Sequence, residues 1–308
     1  MRIRLLPILL LATAAAPAAL AAQSRRDDGR TYDRNSRHDR VDTTVAFHAG
    51  GLVSVSSNQG DITIHTGAAN TVTVHANADR GRIRFDASSD RISVDASDGG
   101  DGHLEITVPA GVRITARSGT GEIQIRGTGA DVSAHSQNGD VLVENAAGHV
   151  DFNTLSGDIT ASQLKGAISA SSVSGDIHLS DLNGNVTGSS VSGDVTLDRV
   201  TSQAVDAQTT SGDIGYDGTI DAAGRYSFAA HSGDVSMTIP ANASAQLTVS
   251  TWSGSIDSDF PITLQPGEHD IGVGTSKRFT FSIGGGEARV RAESFNGDIV
   301  IHRRGGGR

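Results

Sequence analysis

Between residues 121 and 255 apolar side chains alternate with Ser, Thr, Asp, His and Gln, and the alternation breaks at regular turns. Period two is the spacing of a strand with one buried face. A helix does not fit, because the apolar spacing within each run is two rather than three or four and Ser, Thr, Val and Gly are poor helix formers. The breaks carry a recurring tetrapeptide: Ser or Asn, Gly, Asp, then Ile or Val. It reads NGDV at 138, SGDI at 156 and 174, SGDV at 192, SGDI at 211, SGDV at 232 and NGDI at 296. QGDI at 59, TGEI at 120 and SGSI at 253 are variants. Gly121, Gly139, Gly157, Gly175 and Gly193 are 18 residues apart at every step, and later steps of 19, 21 and 21 lead to Gly254. Gly148, Gly166 and Gly184 mark the half period.

Aligning the repeats on their glycines turns the pattern into columns. Two residues after the glycine stand Val141, Ile159, Ile177, Val195, Ile214 and Val235, and four after stand Val143, Ala161, Leu179, Leu197, Tyr216 and Met237. Ala146, Leu164, Leu182 and Val200 follow. The second half supplies Val150, Ile168 and Val186, then Phe152, Ala170 and Gly188, then Leu155, Val173 and Val191. All are expected to line one interior. A single repeat holds two short strands and two turns and cannot bury its own apolar face. Stacking repeats about 4.8 Å apart sets like over like and closes a narrow continuous core. The expectation is an all-β, single-chain β-solenoid of the parallel β-helix kind with 18-residue coils and less regular ends, over residues 42–302. The rival architecture, a meander of tight hairpins in a sandwich, does not account for unbroken 18-residue spacing with matched columns.

Regular coils are expected over about 121–255, a cap or insertion over about 257–286 and a final coil over about 287–302. The earlier segment 41–118 reads as strands in wider coils. Two segments echo one another: EITVPAGVRITARSGTGEI from Glu105 and SMTIPANASAQLTVSTWSGSI from Ser236. Each is strand, Pro-Ala turn, strand and glycine motif.

These SGDI/SGDV turns, the strand–Pro–turn–strand pieces and the closing RVRAESFNGDIVI resemble the bacterial putative-adhesin family of uncharacterised β-strand-repeat domains, over about residues 45–302. The resemblance implies a β-solenoid in the cell envelope. It supplies no catalytic residues.

Composition refines the core. Of 308 residues 38 are Gly, only 4% are aromatic and none is Cys. The interior must therefore be built from small aliphatic side chains. Disulfides, Cys-ligated metals, a thiol nucleophile and a lipidated Cys are excluded. The first 22 residues, with Arg2 and Arg4 ahead of an apolar run and Ala19-Leu20-Ala21 at its end, read as a secretory signal peptide rather than a membrane anchor. Cleavage after Ala21 or Ala22 would change the net charge from -10 to -12 by removing Arg2 and Arg4. Residues 23–41 carry many Arg and Asp and almost no aliphatic side chain, and read as a disordered linker. The tail 303–308 reads the same way. The expected protein is exported, to the periplasm, the outer surface or the medium, with no transmembrane segment after signal removal.

Charge then bears on partners. Net acidity argues against nucleic acid. From 139 to 255 there are 13 Asp and Glu against Lys165, Arg199 and Arg225. This reads as a solvated face, or as attraction for a cationic partner. Arginines gather toward the sequence ends, at Arg80, Arg82, Arg84 and Arg91 and at Arg289, Arg291, Arg303 and Arg304, which suits charged guards on terminal coils.

The candidate chemistry centres on one column. Asp140, Asp158, Asp176, Asp194, Asp213 and Asp234 follow Gly139, Gly157, Gly175, Gly193, Gly212 and Gly233. Carboxylates stacked roughly 5 Å apart repel by about 1 kcal/mol in water and more at lower dielectric. Either each Asp accepts backbone N–H bonds at its turn, or a divalent cation such as Ca²⁺ lies between coils. The first reading makes the glycines and aspartates structural turn residues. The second makes the aspartates a Ca²⁺ ladder, the only cofactor the sequence suggests. The 11 histidines are scattered, although His65 and His75 could be neighbours. No Ser stands in a nucleophile elbow. Trp252, with Tyr216, Tyr226 and Phe228 in mind, reads as a cap on the core. The functional expectation is a non-enzymatic, adhesin-like binding or scaffolding surface for an envelope protein or a surface glycan. The alternatives are a polysaccharide lyase or hydrolase on a β-helix, and a periplasmic accessory of an envelope-stress response.

Overall fold

The computed structural model describes residues 39–67, 70–98, 100–261 and 277–305 and the backbone of 270–271. The expected signal peptide, most of the linker, part of the 257–286 cap and residues 306–308 lie outside the described residues. Every described element is a strand. No helix long and apolar enough to cross a membrane occurs among the described residues.

The first strands are β1 (Asp39–Ala46), β2 (Leu52–Gly67), β3 (Thr71–Ala78), β4 (Arg84–Ala87), β5 (Arg91–Ala96) and β6 (Gly102–Pro109). The regular region begins with β7 (Arg113–Thr120), β8 (Ile123–Arg126), β9 (Val132–Asn138) and β10 (Val141–Glu144). It continues with β11 (Ala147–Ser156), β12 (Ile159–Ser174), β13 (Ile177–Ser192), β14 (Val195–Thr201), β15 (Ala204–Ser211) and β16 (Ile214–Gly218). The last elements are β17 (Arg225–Ser232), β18 (Val235–Pro240), β19 (Ala245–Ser253), β20 (Ile256–Ser258), β21 (Asp270–Ile271), β22 (Lys277–Ile283), β23 (Ala288–Asn296) and β24 (Ile299–Arg304).

The fold is the expected β-solenoid. Each coil gives one stretch of strand to each of two faces, and all stacking between coils is parallel. On the first face the order is β5, β2, β7, β9, β11, β12, β13, β15, β17, β23, β19. On the second it is β6, β2, β8, β10, β12, β13, β14, β16, β18, β24, β20. The register sets like over like: Ile159 on Ile177, Leu164 on Leu182, Ile168 on Val186. Phe152 lies between Ala134 and Ala170, so a large ring is accommodated by small neighbours on both sides. Burying each Val, Leu or Ile in such a stack stabilises by about 1.5–3 kcal/mol.

The order of coils along the axis departs from the order in the sequence at both ends. β2 lies between the β5–β6 coil and the β7–β8 coil. The sequence-final coil, β23–β24, lies between the β17–β18 coil and the β19–β20 coil. At each place the chain steps over one level and another segment fills the gap. The two steps fall at Pro109–Arg113 and Pro240–Ala245, the two Pro-Ala turns that echo one another in the sequence. The echo thus marks a shared topological device.

Antiparallel strands cover the ends. β3 lies on β6 and β1 on β3, while β4 covers β5. At the other end β22 lies on β19 and β21 on β22. β1 begins at Asp39, within the stretch assigned to linker, because Val41 is fully buried and Asp39 and Ala78 are register partners.

One core column needs correction. Leu155, Val173 and Val191 point outward and are 52%, 43% and 47% exposed. The residues just before them, Thr154, Ser172 and Ser190, are the buried ones. Strict alternation from Val150 and Phe152 leads to Thr154, so inward hydroxyls continue the period and the aliphatic residues fall on the outer side of the corner.

Candidate functional site

Three side-chain columns run along the glycine corner, and they play different parts. Asp158, Asp176, Asp194, Asp213 and Asp234 each donate the backbone N–H to Oδ1 of the preceding coil's Asp, at 2.7–2.9 Å. Asp298 N–H donates to Asp234 and Ser255 N–H to Asp298, both at 2.7 Å. The glycine N–H groups reach the other way, as Gly175 does to the Ser192 carbonyl at 3.0 Å. The carboxylates are therefore stitched into the turn. The Ser255 N–H, and Lys277 nearby, hold the Asp298 carboxyl below its ordinary 3.8. Among the described residues no group of three or more His, Asp or Glu is placed to hold a metal ion.

Inside the corner runs a column of buried hydroxyls. Ser190, Thr209, Thr251 and Ser294 donate to glycine carbonyls of adjacent coils at 2.9–3.2 Å. Outside it runs an exposed column that begins Leu155, Val173, Val191. The register continues it through Thr210, His231, Phe295 and Trp252, each next to the Ser or Asn of its motif. Here the rings stack. His231 and Phe295 have centroids 5.0 Å apart and planes at 15°, and Phe295 and Trp252 are 5.7 Å apart at 11°.

Trp252 is therefore not a core cap. It is 47% exposed, because the position before the motif faces solvent in every coil. Tyr216, Tyr226 and Phe228 lie apart from it, buried against one another. The Tyr226 hydroxyl donates to the Ser202 carbonyl at 2.6 Å and Tyr216 to Thr219 at 2.8 Å, and burial raises both phenol pKa values. They seal the loops that lengthen these coils beyond 18 residues.

Two grooves lie side by side on the outer first face, where β13, β15, β17, β23 and β19 meet. One, of about 510 Å³, has the ring column as a wall and Gln208, Ser250 and Glu293 among its lining. The other, of about 620 Å³, is lined by Arg225, Arg278, Arg289 and Arg291, with Asp206 and Gln246. Arg225 and Arg289 are direct register partners on β17 and β23. Arg291 pairs with Glu293 at 2.7 Å. Among the described residues Arg225 and Arg289 have no carboxylate partner. Arg289 and Arg291 thus do not guard a terminal coil. The interleaving of β23 sets them in the body of the solenoid and beside Arg225.

The remaining candidates disperse. His65 and His75 do not meet: His75 Nδ1 is 2.8 Å from Asp42 Oδ1, while His65 is the register partner of Thr107. Arg84 pairs with Asp95 and Asp98 at the capped end. Asp181 receives two hydrogen bonds from the Arg199 guanidinium one coil on, at 2.7 and 2.8 Å, and this fork lowers its pKa. The aromatic column was missed in the sequence because it crosses coils. Its signal is the residue preceding each [Ser/Asn]-Gly: His231, Trp252 and Phe295 occupy one column only when the motifs are aligned past residue 200.

The Toastrack DUF4097 family profile matches residues 48–214 and again 185–302. No curated protein matches the chain. Among solved structures the chain is similar to a putative adhesin from Bacteroides fragilis NCTC 9343, at 11% identity and a TM-score of 0.40, over 86% of this chain and 96% of that one. It is also similar to a putative cell adhesion protein from Clostridium sporogenes ATCC 15579, at 10% identity and a TM-score of 0.27, over 86% and 100%.

Proposed function

The chain belongs to the Toastrack DUF4097 family, and on that premise we propose that it is an exported, non-enzymatic envelope protein that works as a binding surface. The observation that carries this reading is the outer first face. Its side chains are fixed in columns by a hydrogen-bonded stack, and it presents adjoining grooves with opposite character, one ringed by arginines and one walled by aromatic residues. A rigid face of this kind binds without first ordering itself, which lowers the entropic cost of association. Export rests on the apolar leader with its Arg2 and Arg4 start.

The test is fractionation and surface proteolysis of intact cells, followed by crosslinking and identification of what the protein touches. Degradation on intact cells with a crosslinked envelope component supports a surface-binding role. Retention in the cytoplasm would overturn it. Release of reducing ends or unsaturated products from a polysaccharide panel would replace binding with catalysis.

A further inference from the structure

The geometry points to a ligand class for this face: an acidic polysaccharide with carboxylate-bearing sugar rings, lying across β17, β23 and β19. The inference rests on the binding role proposed above and deepens it. Three observations converge on it.

The first is an excess of positive charge. Arg225 and Arg289 stand directly opposite on neighbouring strands about 4.8 Å apart, where like charges oppose pairing. Arg291 and Arg278 line the same groove, where Asp206 is the acidic lining residue among those described, while Glu293 lines the neighbouring groove and is paired with Arg291. Asp206 accepts from Gln208 at 3.0 Å. An anion between the two free guanidinium groups would relieve their repulsion, and the planar fork of Arg suits a carboxylate.

The second is the ring column at the other end of the same strands. Trp252 and Phe295 are both 47% exposed and supply apolar surface to the C–H side of a sugar ring. Between the arginines and the rings lie Gln208, Ser250 and Glu293, which can hydrogen-bond hydroxyls. From Arg289 to Phe295 the strand spans about 20 Å, room for several linked rings.

The third is the charge around it. The chain carries a net charge of -10. Nucleic acid, with one charge per about 1.7 Å of duplex, would be repelled by that field. A polymer with one carboxylate per sugar carries fewer charges per unit length, so the same field repels it less while the arginines still meet its carboxylates.

Trp252 is the only tryptophan in the chain, so its fluorescence reports the site. Titration of the full chain with oligogalacturonate is expected to change Trp252 emission saturably, to weaken as NaCl rises, and to fail with neutral malto-oligosaccharide. Arg225→Gln with Arg289→Gln should weaken binding about tenfold or more and flatten the salt dependence. Trp252→Ala, followed by calorimetry, should weaken it at every salt concentration. These side chains are exposed, so thermal melting of the variants should match the parent. No saturable binding by the folded chain, binding indifferent to these variants, or tighter binding of a single-stranded oligonucleotide would overturn the inference. If crosslinks on cells map to the second face while oligogalacturonate does not bind, the envelope role survives and this ligand assignment fails.

Discussion

Gly175 shows how closely the corners approach. Its φ is +153°, and a Cβ built there would collide with the carbonyl carbon and oxygen of Gly157 and press on Asp158 Oδ1. Both the backbone conformation and the space demand glycine. Gly175→Val should therefore destabilise by roughly 3 kcal/mol or more, read from the midpoint of chemical unfolding; a near-neutral effect would mean that the corner can open. The neighbouring aspartates invite a second measurement. Each Oδ1 from Asp140 to Asp234 already accepts a backbone N–H, whereas Ca²⁺ takes roughly six to eight oxygen ligands. Millimolar Ca²⁺ or EDTA is expected to leave the melting temperature unchanged. A rise with Ca²⁺ would give the column a second role. The turn chemistry was legible from residue types, because Gly followed by Asp encodes both the bend and its acceptor. The direction of each bond, from one coil's N–H to the previous coil's carboxylate, was not.

At the scale of the strand, the corner separates two kinds of hydroxyl. Ser190 donates to the Gly175 carbonyl at 3.2 Å, whereas Thr154 Oγ1 is buried with no hydrogen-bond partner. Ser190→Ala should cost about 1 kcal/mol, and Thr154→Val should be neutral or stabilising, since it removes an unpaired polar group while keeping its shape. Denaturation of the two variants side by side checks the contrast, and equal losses would contradict it. The same corner explains what the pattern of apolar residues concealed. Apolar character alone put Leu155, Val173 and Val191 inside. Alternation counted from Phe152 puts Thr154, Ser172 and Ser190 there instead. Composition and periodicity disagreed for these residues, and the backbone followed periodicity. The aromatic wall of the candidate site continues that outward column through His231, Phe295 and Trp252, and it emerges only when coils of unequal length are aligned.

Over the whole molecule, the coil repeat was legible and the order of coils was not. A column shows which residues stack but not which copy of the repeat lies next to which, and that choice belongs to long-range pairing. Only the echo of the Pro-Ala turns recorded the steps at Pro109 and Pro240. Ending the chain after Gly286 removes β23 and β24 and leaves β17 and β19 facing an empty level. The shortened protein is expected to aggregate or lose its cooperative transition, checked by size-exclusion chromatography and thermal melting; a monomer melting like the parent would show that the last coil is dispensable. Acid should act more evenly. Asp42, Asp95, Asp181, Asp259 and Asp298 all have pKa values lowered from 3.8 by hydrogen bonds to Arg, His, Ser or backbone N–H groups. A carboxyl with a lower folded pKa adds stability above its unfolded value and loses it as pH falls through the folded one. The melting temperature should hold from about pH 7 to 5 and drop below about 4, and a fall between 7 and 5 would point to other groups.

The interleaved last coil also decides how the molecule answers a pull. A simple solenoid held by its terminal coil unwinds like thread from a spool, breaking one interface at a time. Force applied beyond Arg304 here must drag β23–β24 out from between two neighbours, loading the ladders to β17 and β19 together. At the other end, among the described residues, β1 is strand-paired with β3 and can peel strand by strand. The described part of the chain is thus mechanically polar, with its firmer grip at the coil that itself lines the groove that would hold a ligand.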